Sequence, residues 1–357
     1  PSYWKMEVSL PDGFDYFWGT ITILDNGEMW IKDSFTQRQG TSYFVYRKDK
    51  ESYIYLEDSA KNKHSVPEKL LQTHDGTLWG FGTDYGYGLG PRKANPLISR
   101  FDESTGRFEY IESILHESDG YSGINDIQLD NLGFVWLLIN QSYNYISHNT
   151  VVEEHDLPPG LYRFDPYTQK ADYYLAMPEN INYQRLMPVS DGNIWMLGYD
   201  KSSNETVLSR YFPETGELQP YPGTFSYFGN VDLPDLNVPV SSPLFLDSSD
   251  RLWIGTEGWL NHPASESPIW YRIIQPPIFI GGFVDGVGNF YRSIPFGMNE
   301  SSDGMLWFWA GIGTVRLNPT IGEWCLFTTF SSPVVEDENH TLWMVADNKL
   351  FKYELGQ

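Results

Sequence analysis

An aliphatic residue followed by Trp recurs along this chain, each time just after a polar turn. The pairs end at Trp30, Trp79, Trp136, Trp195, Trp253, Trp307 and Trp343, at intervals of 49, 57, 59, 58, 54 and 36 residues. Seven of the 13 tryptophans therefore obey one rule. The preceding turns read DNGE, HDGT, DNLGF, SDGN, SSDR, SDGM and ENHT. Asp, Asn and Gly supply the side-chain caps and positive φ that a tight hairpin requires. A unit of this size cannot bury both faces of its own sheet, so neighbouring units must stack.

Two further elements accompany each Trp. Before the turn runs a short apolar stretch such as TITILD, INDIQLD or SPLFLD. After the Trp strand comes an alternating segment with one basic residue: Arg47, Arg100, Arg163, Arg210, Arg272, Arg316 and Lys352. Alternation of this kind is strand periodicity. Turns such as DESTG, DPYTQ, PETG and NPTIG then lead into another strand. One unit is thus an inner strand, the Trp strand, the basic strand and an outer strand. The expected fold class is all-β: a seven-bladed β-propeller of four-stranded antiparallel blades. The last repeat stops at KLFKYELGQ without an outer strand, while SYWKMEVSL at the start alternates like one and has no unit of its own. Residues 2–10 are expected to complete the C-terminal blade and close the ring, making 1–357 a single propeller domain. The repeated Trps read as packing between blades. The basic residues read as lying over strand faces or pairing with turn acids.

Composition narrows the partners. Aromatics are 16% of residues, which suits a β core, and the formal net charge is −23. Such a surface repels phosphate backbones and anionic lipid, so no nucleic acid partner is expected. No run of about 18 apolar residues exists, so no membrane insertion is expected. The single cysteine, Cys325 in GEWCLF, reads as a small core hydrophobe. The chain begins at Pro1 without a start Met, as after removal of an export signal, and an extracytoplasmic (periplasmic or secreted) location is expected.

The segments DSSDRLWIGTEG and GLYRFDPYT resemble the two-component regulator propeller repeat. Its general form is Asp-x-x-Gly-x-Leu-Trp-Ile-Gly-Thr, then Gly-Leu-x-Arg-Phe-Asp-Pro-x-Thr-Gly. Degenerate copies cover essentially the whole chain. The resemblance implies the propeller fold. It also implies kinship with the periplasmic sensing regions of membrane histidine kinases, which respond to glycans or their breakdown products. A fused or associated signalling protein outside this chain is the partner it suggests. Related seven-bladed rings include streptogramin lyases and some polysaccharide lyases, so the fold by itself assigns no chemistry.

Chain geometry places a site. The turns on one side of the disc are tight; the Trp-to-basic loops and the crossovers between units, on the other side, hold the length variation. Segments 83–96, 140–159, 199–206 and 256–268 are the long examples. Insertions on one face of a repeat protein usually build its binding face. The candidate ligand-binding residues there are Tyr16, Trp18, Asp84, Tyr85, Tyr87, Tyr121, Tyr143, Tyr145, Tyr199 and Trp259. Aromatics beside carboxylates suit neutral sugars, whose ring faces stack and whose hydroxyls hydrogen-bond, and they suit cations. Each ring has the alternative role of packing its loop onto the disc.

Catalytic motifs are absent: there is no phosphate loop, His-Glu-x-x-His, Cys-x-x-Cys or Gly-x-Ser-x-Gly. His116, His148, His155 and His262 are weak catalytic candidates. Glu153, Glu154, His155 and Asp156 are weak metal candidates, with solvated loop as the alternative. No cofactor is expected, and calcium is left open. The reading is a non-enzymatic ligand-binding or sensing propeller for a carbohydrate or other small neutral ligand. A propeller lyase or hydrolase and a protein-interaction scaffold are the alternatives.

Overall fold

The computed structural model describes residues 4–10, 20–33, 42–47, 52–56, 67, 69–84, 95–111, 122–141, 158–203, 206–221, 243–254, 258–261, 269–272, 282–284, 290–292, 295–310, 313–327 and 332–355. They are built from strands. β1 (Lys5–Ser9) opens the chain. The first sheet joins β2 (Ile21–Ile23), β3 (Met29–Asp33), β4 (Ser42–Arg47) and β5 (Ser52–Leu56). The second joins β6 (Lys69–Gln72), β7 (Leu78–Asp84), β8 (Asn95–Asp102) and β9 (Arg107–Tyr110). The third holds β10 (Ser122–Leu129), β11 (Val135–Gln141), β12 (Gly160–Asp165) and β13 (Lys170–Ala176). The fourth holds β14 (Ile181–Pro188), β15 (Ile194–Asp200), β16 (Thr206–Phe212) and β17 (Glu217–Pro220).

The fifth sheet contains β18 (Leu244–Leu246), β19 (Arg251–Ile254), β20 (Gly258–Asn261) and β21 (Ile269–Arg272). A separate two-stranded ribbon follows, β22 (Gly282–Val284) and β23 (Phe290–Arg292). The sixth sheet has β24 (Pro295–Glu300), β25 (Leu306–Ala310), β26 (Gly313–Leu317) and β27 (Trp324–Phe327). These six four-stranded sheets are each continuous in sequence. A further one is assembled from the two ends of the chain. β28 (Val335–Glu336), β29 (Thr341–Ala346) and β30 (Lys349–Glu354) take β1 as their fourth strand, with Lys5 opposite Lys352. All pairings are antiparallel, and the architecture is that of an all-β propeller.

The turns before four of the Trps hold the indole directly. The residue six positions before Trp136 is Asp130. Its Oδ1 accepts from the N–H groups of Leu132 and Phe134, each at 2.9 Å, and its Oδ2 accepts from Trp136 Nε1 at 2.9 Å. Asp247 holds Trp253 the same way at 2.7 Å, and Asp337 holds Trp343 at 2.9 Å. Ser301 serves for Trp307 at 3.0 Å. One carboxylate thus closes the hairpin and satisfies an indole N–H that burial would otherwise leave unpaired. Three residues before the Trp the backbone is left-handed. Glycine usually occupies that place, as at Gly133 (φ 87°), but Asp250 and His340 take it at φ 57° and 58°. This is the left-handed residue of a three-residue hairpin loop.

By contacts the chain divides into two units, 1–38 with 42–57 and 241–357, and 39–41 with 58–240. Within the two units, five of the seven Trps pack on the next sheet. In the second unit, Trp79 meets Phe164 edge to face at 5.0 Å, within a cluster that includes Ile127, Val135 and Leu137. Trp136 packs with Leu186, Ile194, Met196 and Tyr211. In the first unit, Trp253 packs on Phe308 and Leu317, Trp307 on Leu342 and Met344, and Trp343 on Ile31, Phe44 and Tyr46. All seven Trps are buried. Each such side chain contributes about 1.5–3 kcal/mol.

The basic residue lies directly across from the Trp in five sheets: Arg100, Arg163, Arg210, Arg316 and Lys352. Arg210 reaches Asp191 at 2.5 Å and Arg316 reaches Asp303 at 2.6 Å, each guanidinium 5.7 Å from its Trp ring. In the first sheet Val45 faces Trp30, and Arg47 pairs with Glu28 instead.

Three expectations are corrected. IWYR is the outer strand β21 and not the basic strand, so Arg272 is out of place in the repeat. Arg251, on the Trp strand itself, takes over, bonding Asp247 at 2.6 Å and lying 5.6 Å from the Trp253 ring. Consequently Trp259 is not in a long loop: it lies in β20, between Trp253 and Tyr271. Cys325 is exposed on the outer strand β27 and is not a core residue, because an outer strand has no neighbour on one edge and its burial falls off.

Candidate functional site

The inner strands depart from regular pairing at one recurrent place. β10 shifts register between Ile124 and Asp126, β14 between Tyr183 and Arg185, and β24 between Pro295 and Gly297. The extra residues are Asn125, Gln184 and Phe296. Such bulges re-aim side chains and are concentrated next to functional sites. In the fourth sheet the bulge brings β14 so close to β15 that a Cβ at Gly198 would lie 2.4 Å from Asn182 O and 2.6 Å from Tyr183 Cα. Only glycine fits there.

Around these two bulges of the second unit, amides join in one network. Asn140, near the end of β11, donates through Nδ2 to Asn182 Oδ1 at 2.9 Å and to the Tyr183 carbonyl. Gln184 Nε2 donates to the same Asn182 Oδ1 at 2.8 Å. Gln184 Oε1 accepts from Asn125 Nδ2 at 3.4 Å, which links the extra residues of adjacent sheets. Asn182 Nδ2 donates to Tyr199 Oη at 2.9 Å. Asn140 is buried, while Asn182, Gln184 and Tyr199 are half-buried.

A buried carboxylate anchors the array. Asp126 is 3% exposed, accepts from Lys69 Nζ at 2.6 Å, and accepts from the Leu186 N–H at 3.0 Å. One side chain thereby ties the inner strands of three consecutive sheets. Beneath the network Tyr183 donates to Ser209 Oγ at 2.7 Å; burial pushes its phenol up, against the pull of that hydrogen bond. The loop after Tyr199 is closed on itself. Asp200 accepts from the Ser202 hydroxyl and from the Ser202 and Ser203 N–H groups, and Asn180 Nδ2 donates to it at 3.1 Å. The Ser202 hydroxyl first, then these N–H groups, hold its carboxyl below the ordinary range.

The network lies at the strand ends from which the long loops depart: β11 ends at Gln141 and β15 at Asp200. Of the residues singled out from sequence, Tyr199 belongs to it. Asp84 is the last residue of β7, opposite Asn95 at the same end of the second sheet. Trp259 lies in β20. Tyr16, Trp18, Tyr85, Tyr87, Tyr121, Tyr143, Tyr145, His116, His148, His155, His262, Glu153, Glu154 and Asp156 lie outside the described residues. Asn125, Asn140, Asn182 and Gln184 were not anticipated. Their signal was amides inside apolar inner-strand segments, in INDIQL and INYQRL. Among the described residues no group of three or more His, Cys, Asp or Glu could hold a metal ion. Nor is any helix there long and apolar enough to cross a membrane.

No protein-family model matches the sequence, and no curated protein does. Solved structures do. PorZ, an essential surface component of the type-IX secretion system of Porphyromonas gingivalis, superposes with a TM-score of 0.59 at 12% identity, over 98% of this chain and 48% of that one. Hydrazine synthase of Kuenenia stuttgartiensis gives 0.55 at 11% identity, over 98% and 97%. The extracellular domain of BT4673 from B. thetaiotaomicron gives 0.40 at 15%, over 98% and 52%. The chain thus spans about half the length of PorZ and of the BT4673 domain. At these identities the likeness is one of fold, shared by a secretion component and an enzyme.

Proposed function

We propose that this chain is a non-enzymatic ligand-binding or sensing module: one seven-bladed ring, closed by β1, whose repeats are of the two-component regulator kind. Its ligand is a carbohydrate, bound at the long-loop end of the inner strands. The observation that carries this reading is the amide network ending in Tyr199. Side-chain amides and a phenol, presented at bulged strand ends beside long aromatic-rich segments, match the alternating donors and acceptors of a polyhydroxylated ligand. The turns support the repeat assignment, since the Asp of the first motif holds the Trp and the Asp of the second caps its own turn, as Asp165 does for Tyr167 and Thr168. Kinship of fold with a bacterial surface component agrees with an extracytoplasmic place.

The test is a thermal-shift screen of oligosaccharides, with calcium and with chelator, assayed in the same wells for product. A ligand at about 100 times its Kd adds about 2.7 kcal/mol of stability. A shift with the ligand intact supports the binding module. A shift with product overturns it in favour of a propeller lyase or hydrolase, and no shift with any sugar overturns the carbohydrate reading.

A further inference from the structure

The hydrogen bonds around Asn182 have a direction, and one backbone atom sets it. The Tyr183 carbonyl can only accept, so Asn140 turns its amide nitrogen toward it. The same nitrogen meets Asn182 at 2.9 Å, and the Asn182 atom there is therefore the oxygen. Asn182 Oδ1 also takes the Gln184 amide at 2.8 Å, so Gln184 presents its own oxygen to Asn125. With its oxygen engaged on that side, Asn182 turns its nitrogen toward Tyr199 and donates to the phenol oxygen at 2.9 Å. Tyr199 receives a hydrogen bond from the network and returns none. Among the described residues its hydroxyl proton has no acceptor.

We infer that Tyr199 is a specificity-determining hydrogen-bond donor, and that its partner is a ligand group that accepts without donating: the carbonyl oxygen of an N-acetylated sugar. This rests on the carbohydrate reading above and sharpens it. A sugar hydroxyl meets a donor or an acceptor equally well by rotating, so a site of fixed polarity does not select for it. A carbonyl oxygen meets only a donor. A neutral acetamido group also suits a chain of net charge −23 better than a carboxylate does. Gly198, the preceding residue, keeps β15 against Asn182 and so holds the phenol within reach of the amide.

The experiment compares chitotriose with cellotriose, which share a β-1,4-glucan backbone and differ in carrying an acetamido group or a hydroxyl. Binding is measured by calorimetry to the wild type, Tyr199→Phe, Asn182→Asp and the double variant. Chitotriose is expected to bind the wild type more tightly. Tyr199→Phe removes the donor and is expected to weaken chitotriose about fivefold to tenfold and cellotriose by a smaller factor, because a hydroxyl oxygen is a weaker acceptor than an amide carbonyl. Asn182→Asp keeps the acceptor for Asn140 and Gln184 but offers a second carboxylate oxygen to Tyr199, drawing its proton inward. It is expected to weaken chitotriose by the same factor, and the double variant no further. Equal losses for both sugars, or none, overturn the inference while sparing the carbohydrate reading.

If neither sugar binds, a ligand-free measurement decides. In a neutron diffraction map of the deuterated protein the Asn182 amide deuterons are expected to face Tyr199 Oη and the phenol deuteron to point away from Asn182. A phenol deuteron directed at Asn182 overturns the assigned polarity.

Discussion

Asp247 shows how much one turn residue can do. It is buried and accepts from the Ser249 and Arg251 N–H groups, from Arg251 Nε and from Trp253 Nε1. Asp247→Ala strands a buried indole N–H and a guanidinium at once. The expected loss is about 2–4 kcal/mol, read as a fall in the urea midpoint without a change in slope. Other carboxylates act through the same kind of bond at the surface. The hydroxyl of Thr73 holds Asp75 below its ordinary value, as the hydroxyl of Ser104 does Asp102 and that of Ser202 does Asp200. A carboxyl depressed in the folded state stabilises it fully above the unfolded value of about 3.9. That contribution is lost as pH falls through the folded values. The urea midpoint is therefore expected to be flat between about pH 7 and 5 and to fall below about pH 4.

At the scale of elements, sheets within the first unit are joined by a repeated latch. Glu300 accepts from the N–H and hydroxyl of Ser248, at 2.6 and 2.8 Å, and Glu336 accepts from the N–H and hydroxyl of Ser302. In each case a turn residue of one sheet is gripped by the end of the next sheet's inner strand. Glu336 also meets His340 Nδ1 at 2.8 Å. Glu336→Ala is expected to cost about 1–2 kcal/mol in urea unfolding, and Glu336→Gln less, because the amide oxygen still accepts. β1 is the other joining element. It pairs with β30 from Lys5 to Ser9, and Lys352 reaches Glu7 at 2.8 Å. Deleting residues 1–10 uncovers the β30 edge. The expected outcome is a lower unfolding midpoint together with concentration-dependent aggregation in light scattering; an unchanged midpoint would show that β1 is dispensable.

For the whole molecule, the proposed ring depends on the same few interactions repeated from sheet to sheet. Stability in such an architecture is close to a sum of local and nearest-neighbour contributions. Asp247→Ala and Glu336→Ala share no partner and act on different turns, so their costs are expected to add within about 0.5 kcal/mol. A much larger combined loss would show that the two turns are energetically coupled through the sheet between them.

The repeat was legible because hairpin chemistry and Trp burial are local. A polar turn, an aliphatic-Trp pair and a basic strand lie within a few tens of residues, and the buried Trp with a left-handed turn residue three positions before it recurs in all seven units. The reading failed where local cues were ambiguous. IWYR has the look of a basic strand, but the pairing of β20 with β19 makes it the outer one. Cys325 lies in an apolar run, yet an outer strand leaves it exposed. The amide network could not be read from spacing at all. Asn140 and Asn182 are 42 residues apart, and what joins them is the stacking of one sheet on the next with a bulge in the inner strand. Sequence alone determined which residues form each sheet's core, because burial follows pattern. Only the tertiary structure decided which polar groups meet and in what direction their protons point, because hydrogen bonds depend on distance and angle between strands far apart in the chain.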